Sequence, residues 1–425
     1  MKVLYFHQHF STPQGSTGIR SYEMARALIR QGHAVTMVCG SYGAGSTGLS
    51  SEFVRGMRRG VVDGIGVIEL QLAYSNKDGF LKRTWTFLKF SLRSTAIALR
   101  EPYDLLFATT TPLTAGIPGI VARWLRGSKF VFEVRDLWPE LPRAMGVITN
   151  PIVLTLMNWL EWLSYRSATR LVGLSPGIVD GIARRGIDRS KVALIPNGCD
   201  LGIFSDKSEA WRPDGVASAD LMVVFAGTHG MANGLDAALD AAQVLKSRGR
   251  VDIKMVLIGD GQLKDRLMSR ARDEALTNVI FCAPVNKARL AGLMAATDVG
   301  LQLLANVPAF YFGTSPNKFF DYLASGLPSL INYPGWLAEL VEERKCGLAV
   351  LPDDSGAFAD ALEWAADHRD ELKEMGKRSL KLAETQFNRA VLSGQFVTWL
   401  EQAAGYAAAE QVERTPSADS VNHGK

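Results

Sequence analysis

The alternation of segment types along this chain leaves few folds open. A short apolar run rich in β-branched and aromatic residues gives way to a loop of Gly, Ser, Thr, Asn or Asp, then to a stretch with helical spacing, and the cycle repeats. Residues 2–10 run into the loop 11–18 and the helical pattern 19–30, and Gly32 precedes the next apolar run, 34–39. Strands separated by a helix lie parallel, because the crossover returns the chain to the same end of the sheet. Further strands are predicted at 103–108, 129–134, 170–174 and 191–195. A polar, turn-rich stretch, 205–219, interrupts, and a second series follows at 221–226, 253–258, 278–281, 298–304, 329–332 and 348–351. The pattern predicts an α/β chain of two Rossmann-like domains facing each other across a cleft, at 1–200 and 201–385. A helix at 386–405 is placed to pack back on the first domain, and the Ala-, Glu- and Ser-rich tail 406–425 is predicted to be disordered.

Composition narrows the partners. Lys and Arg number 47 against 43 acids, so there is no global signature for nucleic acid and any basic function must be local. Cys39, Cys199, Cys282 and Cys346 are far apart and form no C-x-x-C, which fits buried thiols in a reducing compartment and neither a disulfide framework nor a metal cluster. The N-terminus runs straight into a strand and no apolar run is long enough to span a bilayer, so a cytoplasmic location is expected.

Open parallel sheets bind ligands at the carboxyl ends of their strands, and several residues fall there. Gly15 and Gly18 let a backbone approach a phosphate or sugar closely, although a tight turn explains them as well. His7 and His9 end the first strand on one face and read as satisfied or substrate-facing side chains, since no third metal ligand lies at a useful spacing. Asp136 follows the 129–134 strand, where it either orients an acceptor hydroxyl or caps the helix that begins near Pro139. Ser315 as N-cap, Pro316 as first helical residue and Gly326 as stop predict a helix over 316–325 with Lys318 in its first turn. A cation is unfavourable beside the positive end of a helix dipole unless an anion shares the place. Asp321 lies one turn on, so the pair is either a phosphate pocket with a carboxylate for a hydroxyl or an ordinary i, i+3 salt bridge.

Residues 80–100 contain no acid and carry Lys82, Lys89, Arg93 and Arg100 at intervals of seven, four and seven. Leu81, Trp85, Leu88, Leu92 and Leu99 line the adjacent face. A basic amphipathic helix of this kind either docks on a membrane surface or packs with its charges solvated.

The ordered set of motifs resembles the retaining glycosyltransferases of family four, with the two-Rossmann architecture called GT-B. The resemblance rests on the G-x-x-G loop with Arg20-Ser21-Tyr22-Glu23 behind it, VRDLWPE, LSPGI with IPNGCD, FAGTHGMANGL, VLIGDGQL and SPNKFFDYLASGLP, and spans nearly the whole chain. It implies an amino or deoxyamino sugar moved from a nucleotide, UDP foremost, to a lipid-linked saccharide in bacterial surface polysaccharide synthesis, with no cofactor and no metal. Such an enzyme would sit peripherally on the inner face of the cell membrane. Residue by residue, the resemblance places the ribose on Asp321 and the base near Val285, with Gly18, Ser315 and Asn317 also on the donor. The basic residues that relatives aim at the diphosphate correspond here to Thr228 or His229 and Asn233, which leaves Lys318 to supply the charge. Gly313 stands where the first of two acids is usual. Asp136 matches the Asp of a His-Asp pair near the acceptor, with Arg135 in place of His, and His9 and Arg20 fall on the acceptor side with Lys82, Lys89 and Arg93 on the membrane side. Two rivals remain: a sugar-nucleotide epimerase of the same fold, and a non-catalytic nucleotide-binding subunit.

Overall fold

The structure is a computed structural model and describes residues 1–15, 17–43, 45–74, 78–204 and 209–406, so the tail predicted to be disordered lies, from residue 407, outside the described residues. The first sheet is built from β1 (Lys2–Phe6), β2 (Ala34–Tyr42), β3 (Met57–Val62), β4 (Ile65–Tyr74), β5 (Leu105–Thr109), β6 (Lys129–Val134), β7 (Arg170–Gly173) and β8 (Val192–Leu194). Their order is β3-β4-β2-β1-β5-β6-β7-β8, parallel throughout except that β3 runs antiparallel to β4. The second sheet, of β9 (Leu221–Ala226), β10 (Ile253–Ile258), β11 (Val279–Cys282), β12 (Val299–Gln302), β13 (Ser329–Ile331) and β14 (Gly347–Ala349), is parallel in the order β11-β10-β9-β12-β13-β14. That is the doubly wound order in which the chain reverses direction beside its first strand, opening a crevice at the strand tips. The two crevices lie at the tips of β1 and β5 in one sheet and of β9 and β12 in the other.

Helices cover both faces of each sheet, so the strands are apolar on both sides. In β5 every residue is buried, and so are five of the six in β9. The first sheet has one core, and the second has a core on each face, one containing Phe319, Tyr322 and Ile331 and the other Leu221, Phe225 and Leu301. The helix Arg389–Ala404 returns to the first domain, where Leu392, Phe396 and Leu400 join the core and Phe396 meets Phe107 edge-on at 5.1 Å. Arg389 pairs with Asp200 at the crossover, and Trp399 Nε1 donates to the Leu171 carbonyl at 3.0 Å.

Three local expectations change. The first strand stops at Phe6, so His7 and His9 stand on the loop beyond it and their shared face comes from the loop's path and not from a strand period. The β3–β4 hairpin replaces what reads as an unassigned stretch, and it turns at Asp63-Gly64 with φ of 50° and 82°, a two-residue loop in which both positions are left-handed. The 316–325 helix begins one residue late, at Asn317, with Pro316 in the capping position.

Candidate functional site

The helix Asn317–Ala324 follows the tip of β12 and stands beside the β9 loop. It stops where expected, at Gly326 with φ of 66°. Its start is not capped by Ser315; that hydroxyl instead accepts the backbone N–H of Asn197 at 3.1 Å, and the Asn197 amide donates to the Ser315 carbonyl at 2.6 Å. Asn197 belongs to the crossover between the domains, so the helix start is fastened to the hinge.

Lys318 does not pair with Asp321. Its ammonium donates to Asn233 Oδ1 at 2.8 Å and stands 4.3 Å from the centre of the Phe225 ring, with no carboxylate in ion-pair reach among the described residues. Removal from water with no counter-charge lowers its pKa from 10.5 to about 7. A Cβ on Gly227 would stand 3.2 Å from Lys318 Cε, so the glycine leaves the lysine its channel. Asn233 is held in turn by donating to the Thr228 carbonyl at 2.8 Å, while the Thr228 residue itself is exposed.

Asp321 is buried, and both its oxygens accept from Lys287 Nζ, at 2.8 and 2.9 Å. Burial pushes its carboxyl up and Lys287 opposes the shift. Lys287 opens the helix after Val285 and Asn286, where Asn286 caps by accepting the Arg289 N–H and Val285 is half-buried. His229 was expected among the donor contacts. It is fully buried near Phe225 and Phe281, and burial, reinforced by Lys264, drops its pKa to about 4, in keeping with Lys318 as the source of charge.

Across the cleft, a Cβ on Gly18 would stand 2.7 Å from the Asn317 amide nitrogen, so the first domain's glycine loop abuts the donor-domain helix start. Arg20, expected on the acceptor side, is 2% exposed. Its guanidinium bonds Glu133 at 2.8 and 3.0 Å and the carbonyls of Ile195 and Pro196 at 2.8 and 2.7 Å. Four of its five N–H donors are taken, so Arg20 fixes the crossover to β6 from a buried position. Arg135 completes the group, donating to Glu133, Thr109 and Ser21. Burial pushes the Glu133 carboxyl up, but Arg20 and Arg135 outweigh it and hold it at about 2. Asp136 is half-buried, makes no hydrogen bond among the described residues and caps nothing, since Pro139 occupies the N-cap of the helix Glu140–Ala144. Burial raises its pKa, opposed by Arg135.

His7 and His9 lie 6.5 Å apart on the wall of a cavity of about 370 Å3 that also touches Gly18, Arg135 and Asn317. Among the described residues no three His, Cys, Asp or Glu side chains come together to hold a metal. The 80–100 helix is present over Phe80–Arg100. Leu81, Trp85 and Leu92 are 82, 58 and 70% exposed, and Lys89 sits 5.2 Å from the Trp85 ring. Lys82 is exposed and paired with Asp78, while Arg93 is turned inward to the Gly56 carbonyl at 2.9 Å and leaves the basic stripe.

Two facing doubly wound domains, each with a crevice at its strand tips, define a GT-B architecture. Residues 15–198 match the family described as glycosyl transferase 4-like domain and residues 220–368 the family described as glycosyl transferases group 1, and the chain belongs to these glycosyltransferases. It is 25% identical to WcaL of Escherichia coli (strain K12), a glycosyltransferase assigned to colanic acid biosynthesis, over 68% of this chain and 74% of the relative. It is 29% identical to a D-inositol 3-phosphate glycosyltransferase of Nocardia farcinica, over 46% of this chain and only 44% of that protein's length. The structure of Anabaena HepE in complex with UDP superimposes with a TM-score of 0.67 over 95% of this chain and 100% of that one, at 17% identity, a likeness of fold.

Proposed function

We propose that this chain is a retaining, metal-independent glycosyltransferase of bacterial surface polysaccharide synthesis. It takes an N-acetylated amino or deoxyamino sugar from a UDP-sugar and transfers it to a polyprenyl-diphosphate-linked saccharide. The observation that carries the reading is Lys318, a cation without a counter-charge at the start of a helix on the β9–β12 crevice. UDP departs with the electrons of the anomeric C–O bond, and the negative charge that develops on its phosphates meets the Lys318 ammonium and the N–H groups opening the helix. Asp321, held by Lys287, keeps oxygen lone pairs for the ribose hydroxyls, and the backbone at Val285 reads the base. From the facing crevice Asp136, free of other partners among the described residues, orients the acceptor hydroxyl that forms the new bond. HepE, with UDP in the same fold, supports a nucleotide donor, and WcaL supports a polysaccharide setting.

The test is UDP release from a panel of UDP-sugars with and without lipid-linked saccharide. Release that requires both substrates is expected. An epimer formed from the sugar nucleotide alone, or binding with no turnover on any pair, would replace the reading by one of its rivals.

Membrane docking has broader support than the 80–100 helix gives it. The helices Phe80–Arg100, Ile117–Arg126 and Pro151–Ser167 pack in a row. Trp85, Leu92, Trp124, Ile152, Leu156 and Trp159 are all more than half exposed. The one acid on the three helices, Glu161, is buried and paired with Arg185. Sedimentation with anionic liposomes should therefore be salt-sensitive. Replacing Lys82 and Lys89 by Gln should weaken it roughly thirtyfold, at ~1 kcal/mol for each charge. Salt-insensitive sedimentation, or none, would reject the docking.

A further inference from the structure

The first-domain helix Pro176–Arg184 is entered through Ser175-Pro176-Gly177, and the chemistry of that entry leaves Gly177 to find a partner elsewhere. Pro176 carries no N–H. The Ser175 hydroxyl accepts from the Ile178 N–H at 3.2 Å and the Ser175 carbonyl from Val179 at 3.1 Å. The Gly177 N–H crosses the cleft instead and donates to the Phe312 carbonyl of the second domain at 3.2 Å. The two backbones come so close that a Cβ on residue 177 would stand 2.4 Å from the Phe312 oxygen and 2.6 Å from its carbonyl carbon. Gly177 has ordinary helical backbone, which any residue adopts, so the glycine serves the close approach and not a turn.

Phe312 belongs to the segment 308–317, which leads from the tip of β12 into the Lys318 helix, and both domains hold that segment. From its own domain, Trp336 Nε1 donates to the Thr314 carbonyl at 2.7 Å and the Tyr333 ring stacks on Tyr311 at 6.3 Å. From the first domain, Gly177 takes Phe312, Asn197 takes Ser315 and Gly18 abuts Asn317. Leu141 and Met145, on and just beyond the helix Glu140–Ala144, add apolar contact with the second domain's core. Beside them a cavity of about 520 Å3, with Arg143 on one side and Pro308 on the other, opens between the domains. Backbone bonds and half-buried apolar side chains around an open cavity make a contact that domains can form and release. What this one orders is the start of the helix that carries Lys318.

We propose that Gly177 is a positioning residue for the transfer: its N–H and its bare Cα let the first domain grip the Phe312 carbonyl, and this grip sets the Lys318 helix start against the facing crevice. The role in transfer rests on the glycosyltransferase reading. UDP is held by the second domain, so the grip bears on turnover and not on the holding of UDP. Reacting groups carried on two domains lose about a hundredfold in rate for a misplacement of about 1 Å, and a side chain at 177 would force the domains apart on that scale.

Hydrogen exchange of the full chain, read by NMR with isotope-labelled glycine, reports the contact directly, the Gly177 signal being the one that Gly177→Ala removes. In the parent that amide should exchange at least about a hundredfold more slowly than an unstructured one. Gly177→Ala keeps the N–H and puts a better helix former in the helix, so its melting temperature should not fall. Its kcat should drop at least about tenfold, while UDP affinity by calorimetry stays within about threefold of the parent's. Unchanged kcat, or a loss of turnover matched by an equal loss of UDP affinity, would overturn the positioning role. An unprotected Gly177 amide would overturn the contact itself. A parent that transfers sugar on no substrate pair would overturn the glycosyltransferase reading and the role with it, and the exchange rate would still decide the contact.

Discussion

Arg20 and Lys318 are both cations withdrawn from solvent at facing strand tips, and the protein treats them in opposite ways. Arg20 meets a carboxylate and two carbonyls, and Arg135 shares the same carboxylate, so charge and hydrogen bonds close on themselves. Lys318 meets an amide oxygen and a ring face and keeps its charge unbalanced. A closed set of buried charges holds backbone in place, here the crossover at residues 195–196. An open one costs stability until an anion arrives, which is how a binding site for a diphosphate differs from a structural ion pair.

The largest effect should come from breaking the closed set. Arg20→Ala leaves Glu133 buried with only Arg135, and should cost about 3–5 kcal/mol of unfolding free energy in urea titrations. The same group sets the acid limb. Glu133 is held at about 2, below its unfolded value, so its stabilisation is complete above the unfolded pKa of 4.5 and is lost as pH falls through 2. Lys318→Ala should instead leave the fold intact and lower turnover by about a hundredfold or more. Its stability effect should have the opposite sign. With a folded pKa of about 7 against 10.5 unfolded, the unfolded chain binds more protons in that window. Stability of the parent therefore rises with pH from 7 to 10.5, and Lys318→Ala should flatten the rise in thermal melts. A smaller loss is expected from Gly18→Ala, whose Cβ would press on the Asn317 amide across the cleft; turnover should fall between about tenfold and a hundredfold with little change in melting temperature. Smallest is Arg93→Gln. Because Arg93 is turned to the Gly56 carbonyl, liposome affinity should change by less than about threefold, against roughly fivefold for the outward Lys89→Gln.

The alternation of strand and helix was legible because parallel strands are buried on both faces and advertise themselves as apolar runs. The β3 edge strand, MRRGVV, spends two of its six positions on arginines, Arg59 outward and Arg58 turned to the buried Glu69, and gives no such run, although Asp63-Gly64 is a readable hairpin signal once a partner strand is sought. At the site, the unusual position of Lys318 at a helix start was visible in the sequence. Its partner Asn233, 85 residues away, and Lys287, which takes Asp321, depend on how two loops fold over one helix. Ser315 has the residue type of an N-cap, but Asn197 from the crossover claims it, a tertiary bond that outweighs the local preference. Arg20 and His229 read as candidate ligand contacts because both follow glycine loops at strand tips. Burial, which a single sequence does not display, moves one into a structural network and the other under the loop.

Calorimetry of UDP binding at pH 8, in two buffers of different ionisation enthalpy, tests the central claim about Lys318 most directly. With its pKa near 7, the free lysine is mostly neutral at that pH, and a bound diphosphate would restore its charge. Uptake of close to one proton is expected, together with an affinity at least about a hundredfold weaker and no proton uptake in Lys318→Ala. Equal UDP affinity in the two proteins, with no proton exchanged in either, would contradict the assignment of Lys318 to the donor diphosphate.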